Sequence, residues 1–228
     1  MSIQSLRQAF RYRVARHILI GPFLFVWGRP KFTGQHNIPK TGPVILAANH
    51  LAISDSFFVV LAARRPVMFL AKADYFTQPG LRGKFKKVFF SGMGQIPVDR
   101  AGGAKSTPAI DAATGIVDDG GAWGIHPEGT RSPDGRMYRG KTGVVRVAVA
   151  TGTPIIPIAL TGTDNRTRTN FWKSRVAVDI LPPLDLSHIH ADNEAEIREA
   201  TDTLMSQIRA KTGQVYVDTY AKPGSATK

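Results

Sequence analysis

From residue 43 onward, short apolar runs alternate with helical stretches, and this restricts the fold more than any other feature. The run Pro43-Val44-Ile45-Leu46-Ala47-Ala48 is short, apolar and bounded by Gly42, so it reads as a buried strand. Residues 67–71, 95–98, 122–125, 155–160 and 176–181 read the same way, the last stopped by Pro182-Pro183. Helices are predicted over 55–63, over 107–118 (ended by Gly120-Gly121), over 142–150 (capped by Gly152) and over 193–211. The last of these turns Ile197, Leu204 and Ile208 inward. Strand–helix alternation implies an α/β fold, with a mostly parallel or mixed central sheet flanked by helices and ligands at the carboxyl ends of its strands. At 228 residues the chain suits one such domain, and no internal repeat is visible. The expected division is an N-terminal interfacial helical segment (1–29), the α/β domain (30–215) and a flexible tail (216–228).

Charge narrows the partners. Lys and Arg number 30 against 17 Asp and Glu, a net charge of +13 that favours anionic partners. Before Asp55 there is no acidic residue, while Arg7, Arg11, Arg13, Arg16, Arg29, Lys31 and Lys40 are basic. Leu6, Phe10, Val14 and Ile18 recur at helical spacing and lead into Ile18–Trp27, an apolar stretch interrupted by Gly21-Pro22. That stretch is too short to span a bilayer, which takes about 20 residues, but it can lie in the interface with Trp27 at headgroup depth. The alternative is a helix packed on the domain's own core. A second basic–aromatic stretch, residues 81–90, suits either membrane or nucleic acid, and membrane is the simpler partner. The basic N-terminus lacks a clean signal-peptide cleavage site. The chain has no cysteine, which excludes disulfides, thiol catalysis and cysteine metal sites.

Two motifs carry chemistry. In the first, His50 stands just past the 43–48 strand and Asp55 follows five residues on. On one continuous helix the two would diverge by about 140°. With residues 51–54 as a tight loop and Ser54 as N-cap, Asp55 in the first helical turn can instead accept from His50 Nδ1–H, leaving Nε2 to take a proton. The alternative is a loop histidine beside a capping aspartate. In the second motif, Glu128-Gly129-Thr130-Arg131 follows the 122–125 strand. Gly129 allows close backbone approach, Thr130 supplies a hydroxyl and Arg131 a fork suited to phosphate, with Arg139 and Lys141 close behind. Residues 132–135 read as the turn that holds this loop. The alternative is a plain strand exit with a surface arginine. No Gly-x-Ser-x-Gly elbow is present. His188-Ile189-His190 is more simply a solvated loop than a metal pair, so no metal site is expected.

Four ordered blocks resemble the glycerolipid acyltransferases, the group containing the 1-acyl-glycerol-3-phosphate acyltransferases. They are Asn49–Asp55 (His-x4-Asp), Gly94–Arg100, His126–Ser132 (where the family more often has Phe at 126) and Thr153–Ile158, spread over roughly residues 30 to 165. The resemblance implies that His50 is the general base and Asp55 its orienting partner. It implies that Glu128, Gly129, Thr130 and Arg131 hold the acceptor's phosphate and glycerol, with Arg100, Lys72 and Lys141 as further contacts. It also implies that backbone amides near Gly94, Gln95 and Ile96 polarise the thioester carbonyl. The expected co-substrates are acyl-CoA or an acyl carrier protein as donor and lysophosphatidic acid or glycerol 3-phosphate as acceptor, with no other cofactor. The expected location is the cytoplasmic face of the cell membrane, peripheral or monotopic. A rival from another class is a noncatalytic module binding anionic lipid or nucleic acid.

Overall fold

A computed structural model describes residues 21–72, 80, 95–98, 107–164 and 175–222. Its elements in chain order are α1 (Gly21–Gly28), β1 (Lys31–Thr33), β2 (Val44–Ala48), α2 (Asp55–Ala63), β3 (Met68–Lys72), β4 (Gln95–Val98) and α3 (Thr107–Asp118). There follow β5 (Ala122–Ile125), β6 (Met137–Tyr138), α4 (Gly143–Thr151), β7 (Ile155–Thr161), β8 (Ala177–Ile180), α5 (Glu194–Thr212) and β9 (Tyr216–Val217). Seven strands form one sheet in the order β1-β8-β7-β2-β5-β3-β4. Only the β7–β8 pair is antiparallel, so the expected mostly parallel, mixed sheet is what forms.

Strand β2 is buried on both faces, and its side chains divide between two cores. Val44, Leu46 and Ala48 face α1 and α2, whereas Ile45 and Ala47 face α3, α4 and α5. Strand β7 divides likewise, with Ile156, Ile158 and Leu160 on the first face and Ile155 and Ala159 on the second. A strand covered on both sides reads as continuous apolar sequence, which is why these two were legible. Helix α5 lays Ile197, Leu204 and Ile208 on the second core, as expected, and Asn193 caps it by accepting from the amides of Ala195 and Glu196.

The connections place the site. From β2 the chain passes through α2 on one face to β3, and from β5 it passes through α4 on the other face to β7. The neighbouring carboxyl ends of β2 and β5 thus form a crevice from which the chain leaves in opposite directions, the usual place for a ligand in an open α/β sheet.

Several expectations are corrected. Helix α2 begins at Asp55 as expected, yet the Ser54 side chain makes no capping bond, because Ser54 is itself in helical conformation. The chain after residue 215 is not all tail, since Tyr216–Val217 pairs in parallel with Met137–Tyr138 and Ala221 is buried. Trp27 does not point away from the protein; it stacks on Phe58 of α2 at 6.3 Å and packs against the first core. Leu24 is buried beside it, while Phe23, Phe25 and Val26 on the same helix are 61%, 50% and 72% exposed. No helix among the described residues is long and apolar enough to cross a membrane. The basic stretches 7–16 and 81–90, and residues 223–228, lie outside the described residues.

Candidate active site

His50 and Asp55 meet in the way their spacing allows once the strand ends before His50. The His50 Nδ1–H donates to Asp55 Oδ2 at 3.0 Å. The amides of Leu51 and Ala52 donate to the same oxygen at 2.6 and 2.7 Å, so the loop wraps around the carboxylate. Asp55 is fully buried, whereas the His50 side chain is 17% exposed, an arrangement that shields the carboxylate while leaving the ring reachable. Burial pushes the Asp55 pKa above the usual carboxylate range; a proton on His126, were it present, and the Ala52 and Leu51 amides pull against it.

A second imidazole supports the first. The His126 ring stacks on His50 with centroids 3.8 Å apart and planes within 7°. Phe69 stacks on the far side of His126 at 5.5 Å, lying over Gly124, where an added Cβ would come within 2.3 Å of its ring. His126 Nδ1 lies 3.0 and 3.1 Å from the carbonyls of Ala48 and Asn49, which can only accept, so Nδ1 carries the proton. Nε2 is then the acceptor for the Ser56 hydroxyl at 3.0 Å. Burial, reinforced by the neighbouring His50, lowers the His126 pKa to about 3, so this ring is neutral at working pH. It braces the His50 ring without carrying a second positive charge beside it.

Glu128 has a task other than the one expected. It is fully buried, with Oε1 accepting from the His50 amide and Oε2 from the Tyr138 amide, both at 2.9 Å. It ties β6 to the loop that carries His50, with each oxygen against a backbone amide. Burial raises its pKa to about 7 from an ordinary 4.5, against the pull of those two amides. A raised folded-state pKa means that the native protein holds an extra proton between pH 4.5 and about 7, so this contribution to stability is lost as pH rises through that window. The stability advantage of wild type over Glu128→Gln is therefore expected to shrink by on the order of 3 kcal/mol between pH 5 and pH 8. Urea denaturation of both proteins at both pH values checks this, and a constant difference would rule it out.

The loop after Glu128 gathers cations around a glycine. Gly129 has φ +77° and its backbone lies under the Lys141 side chain; a Cβ there would sit 2.9 Å from Cε and 3.0 Å from Nζ. Ser132 N donates to the His50 carbonyl at 2.8 Å and Lys141 N to the Pro127 carbonyl at 2.8 Å, so the loop is laced to the end of β2 that leads into His50. Thr130 is half-buried, and Arg131 and Lys141 are exposed on this rim. Arg139, expected to add charge here, instead faces Asp218 at 3.6 Å and the Tyr220 ring. The 132–135 turn forms with Gly135 at φ +86° and its amide donating to Ser132 Oγ.

Of the remaining expected residues, two can be placed by their backbone. Gln95 and Ile96 open edge strand β4, which β3 and β5 separate from β2, roughly 14 Å by strand spacing. Their amides are therefore ill-placed to serve an oxyanion at His50. Gly94, Arg100 and the side chain of Lys72 lie outside the described residues. Sequence reasoning missed Asn49, which is fully buried. Its Nδ2 donates to the Leu160 carbonyl and to Gln214 Oε1, both at 2.9 Å, and its Oδ1 accepts from the Leu160 amide at 2.8 Å. A lone amide side chain ending an apolar strand was the available signal, since such a group must find partners inside. Ser56 and Gln214 carried no signal. His190, set aside as a metal ligand, bonds Glu196 at 2.9 Å at the start of α5.

A histidine paired with a buried aspartate, set beside a glycine loop carrying Arg131 and Lys141 at the switch point of a mostly parallel sheet, is the arrangement of an α/β enzyme. The acyltransferase family model matches residues 29–161, more than half of the chain, and the chain belongs to that family. It is 35% identical over 133 residues to the 1-acyl-sn-glycerol-3-phosphate acyltransferase of Borreliella burgdorferi, covering 58% of this chain and 51% of that protein. It is 30% identical over 174 residues to the enzyme of the same name from Limnanthes douglasii, covering 74% of this chain and 59% of the relative. The chain thus spans between about half and three-fifths of the length of these relatives. The crystal structure of the 1-acyl-sn-glycerophosphate acyltransferase PlsC from Thermotoga maritima superposes with a TM-score of 0.67 at 21% identity. That alignment takes in 92% of this chain and 83% of the other, a likeness of fold.

Proposed function

We propose that the chain transfers a fatty acyl group from a thioester, acyl-CoA or acyl carrier protein, to the free hydroxyl of lysophosphatidic acid at a membrane surface, giving phosphatidic acid. The observation that carries this is the 3.0 Å His50–Asp55 pair standing beside the Gly129 loop, with Lys141 over Gly129 and Arg131 on the rim. His50 Nε2 takes the hydroxyl proton as the acceptor oxygen attacks the thioester carbonyl. The imidazolium is held by Asp55, and the tetrahedral adduct collapses with loss of the C–S bond. The thiolate leaves and collects the proton from His50, so the ester and a free thiol are the only products. The names of the relatives and the net charge of +13 support the acceptor and the anionic surface. The exposed Phe23, Phe25 and Val26 of α1 suit insertion among lipid headgroups.

The test is thiol release from palmitoyl-CoA, followed with a thiol-reactive dye on anionic liposomes, with lysophosphatidic acid or glycerol 3-phosphate as acceptor. The cysteine-free chain adds no thiol of its own. Release that needs lysophosphatidic acid is expected; release with glycerol 3-phosphate alone would reassign the acceptor, and none with either would remove CoA as donor. Arg131→Ala is expected to raise the acceptor KM roughly tenfold or more, the scale of a charge-assisted phosphate contact, and to leave the donor KM unchanged. Equal effects on both would exclude phosphate recognition by Arg131.

A further inference from the structure

The family match ends at residue 161, yet one side chain from beyond α5 reaches the catalytic strand end. Gln214 follows Gly213, the left-handed residue that terminates α5 at φ +69°. From there its Oε1 accepts from Asn49 Nδ2 at 2.9 Å, and its Nε2 donates to the Gly135 carbonyl at 2.8 Å. The first bond fixes the residue that immediately precedes the base. The second fixes the turn that closes the phosphate loop, where Ser132 N already grips the His50 carbonyl. The next residues extend this support: the Met137 amide donates to the Val215 carbonyl at 2.9 Å, and β9 pairs with β6. We propose that Gln214 is a positioning residue, a strut joining the His50 strand end to the anion loop so that base and acceptor phosphate are held at a set separation.

The two ends of the strut are chemically distinct, and this makes the idea testable. Asn49 keeps both bonds to Leu160 when Gln214 is shortened, so Gln214→Ala is expected to fold. Gln214→Glu keeps an acceptor for Asn49 but sets a carboxylate oxygen against the Gly135 carbonyl, and so breaks only the loop end.

The inference rests on the proposed acyl transfer for its kinetic arm and is independent of it for its structural arm. Hydrogen-exchange mass spectrometry of the full chain would follow residues 47–52 and 129–136, with residues 57–63 in α2 as control. Gln214→Ala is expected to speed exchange in both site segments about fivefold to tenfold, the scale of one lost net hydrogen bond, without change in α2. Gln214→Glu should speed it in 129–136 alone. In the palmitoyl-CoA assay, Gln214→Ala is expected to lower kcat and raise the acceptor KM severalfold at constant donor KM, while Gln214→Glu mainly raises the acceptor KM. Unchanged exchange in both segments, or an equal rise in α2, overturns the strut. A wild-type protein that releases no thiol overturns the proposed reaction and leaves the exchange result to decide the strut.

Discussion

Replacing His50 by alanine is expected to lower acceptor-dependent thiol release by about 10³-fold, within the range a positioned general base supplies. The magnitude follows from the site having one ring placed for the task. His126 lies 3.8 Å away but cannot substitute: its Nδ1–H is committed to two carbonyls, its Nε2 accepts from Ser56, and its pKa of about 3 makes it a poor proton acceptor. Folding should survive, because the His50 side chain is partly exposed and the loop is held through its backbone by Glu128 and Ser132. The measurement is kcat on liposomes with the unfolding midpoint as control. A variant that folds and keeps more than a tenth of the activity excludes His50 as the base.

Asp55→Asn is expected to separate charge from geometry. The Leu51 and Ala52 amides both require an acceptor at the Oδ2 position, so the asparagine oxygen is held there and still accepts from His50 Nδ1–H. The tautomer is preserved and the negative charge is lost. The imidazolium formed during proton transfer then lacks its counter-charge, and kcat is expected to fall by on the order of 10²-fold, about 2.7 kcal/mol of barrier. Stability should move the other way. Burial holds the Asp55 pKa above its ordinary value, so the native state binds this proton more tightly than the unfolded chain does. The stability tied to that proton is present at low pH and is lost as pH rises through the folded-state pKa. Asparagine has no such loss, so the variant should melt higher than wild type at neutral pH, with the gain vanishing in acid. A variant that is both inactive and less stable at neutral pH would show that Asp55 serves the fold instead of the proton transfer.

Much of this architecture was legible because burial on both sheet faces leaves plain marks. Strands β2 and β7 are continuous apolar runs, and α5 shows its inward stripe at the expected spacing. The His50–Asp55 contact was legible too, since Gly42 and the apolar run after it stop a helix from carrying both residues. Strand β1 and the β6–β9 pair were not, because elements of two or three residues carry no usable periodicity. Glu128 was misread for a related reason. In a loop, a carboxylate three residues before a cation looks like ligand chemistry, and only the fold shows that its oxygens accept from the amides of His50 and Tyr138.

The class of fold, the approach of His50 to Asp55 and the cations around Gly129 could be read from the chain alone, because these depend on local spacing and on which residues must be buried. Tertiary packing set how the site is held: His126 stacked on His50, Asn49 tied to Leu160, Glu128 joining the His50 loop to β6 and Gln214 arriving from beyond α5. Those contacts join residues separated by 76, 111, 78 and 165 positions. A pairing that distant follows from how strands and helices pack, and no local pattern in the chain encodes it.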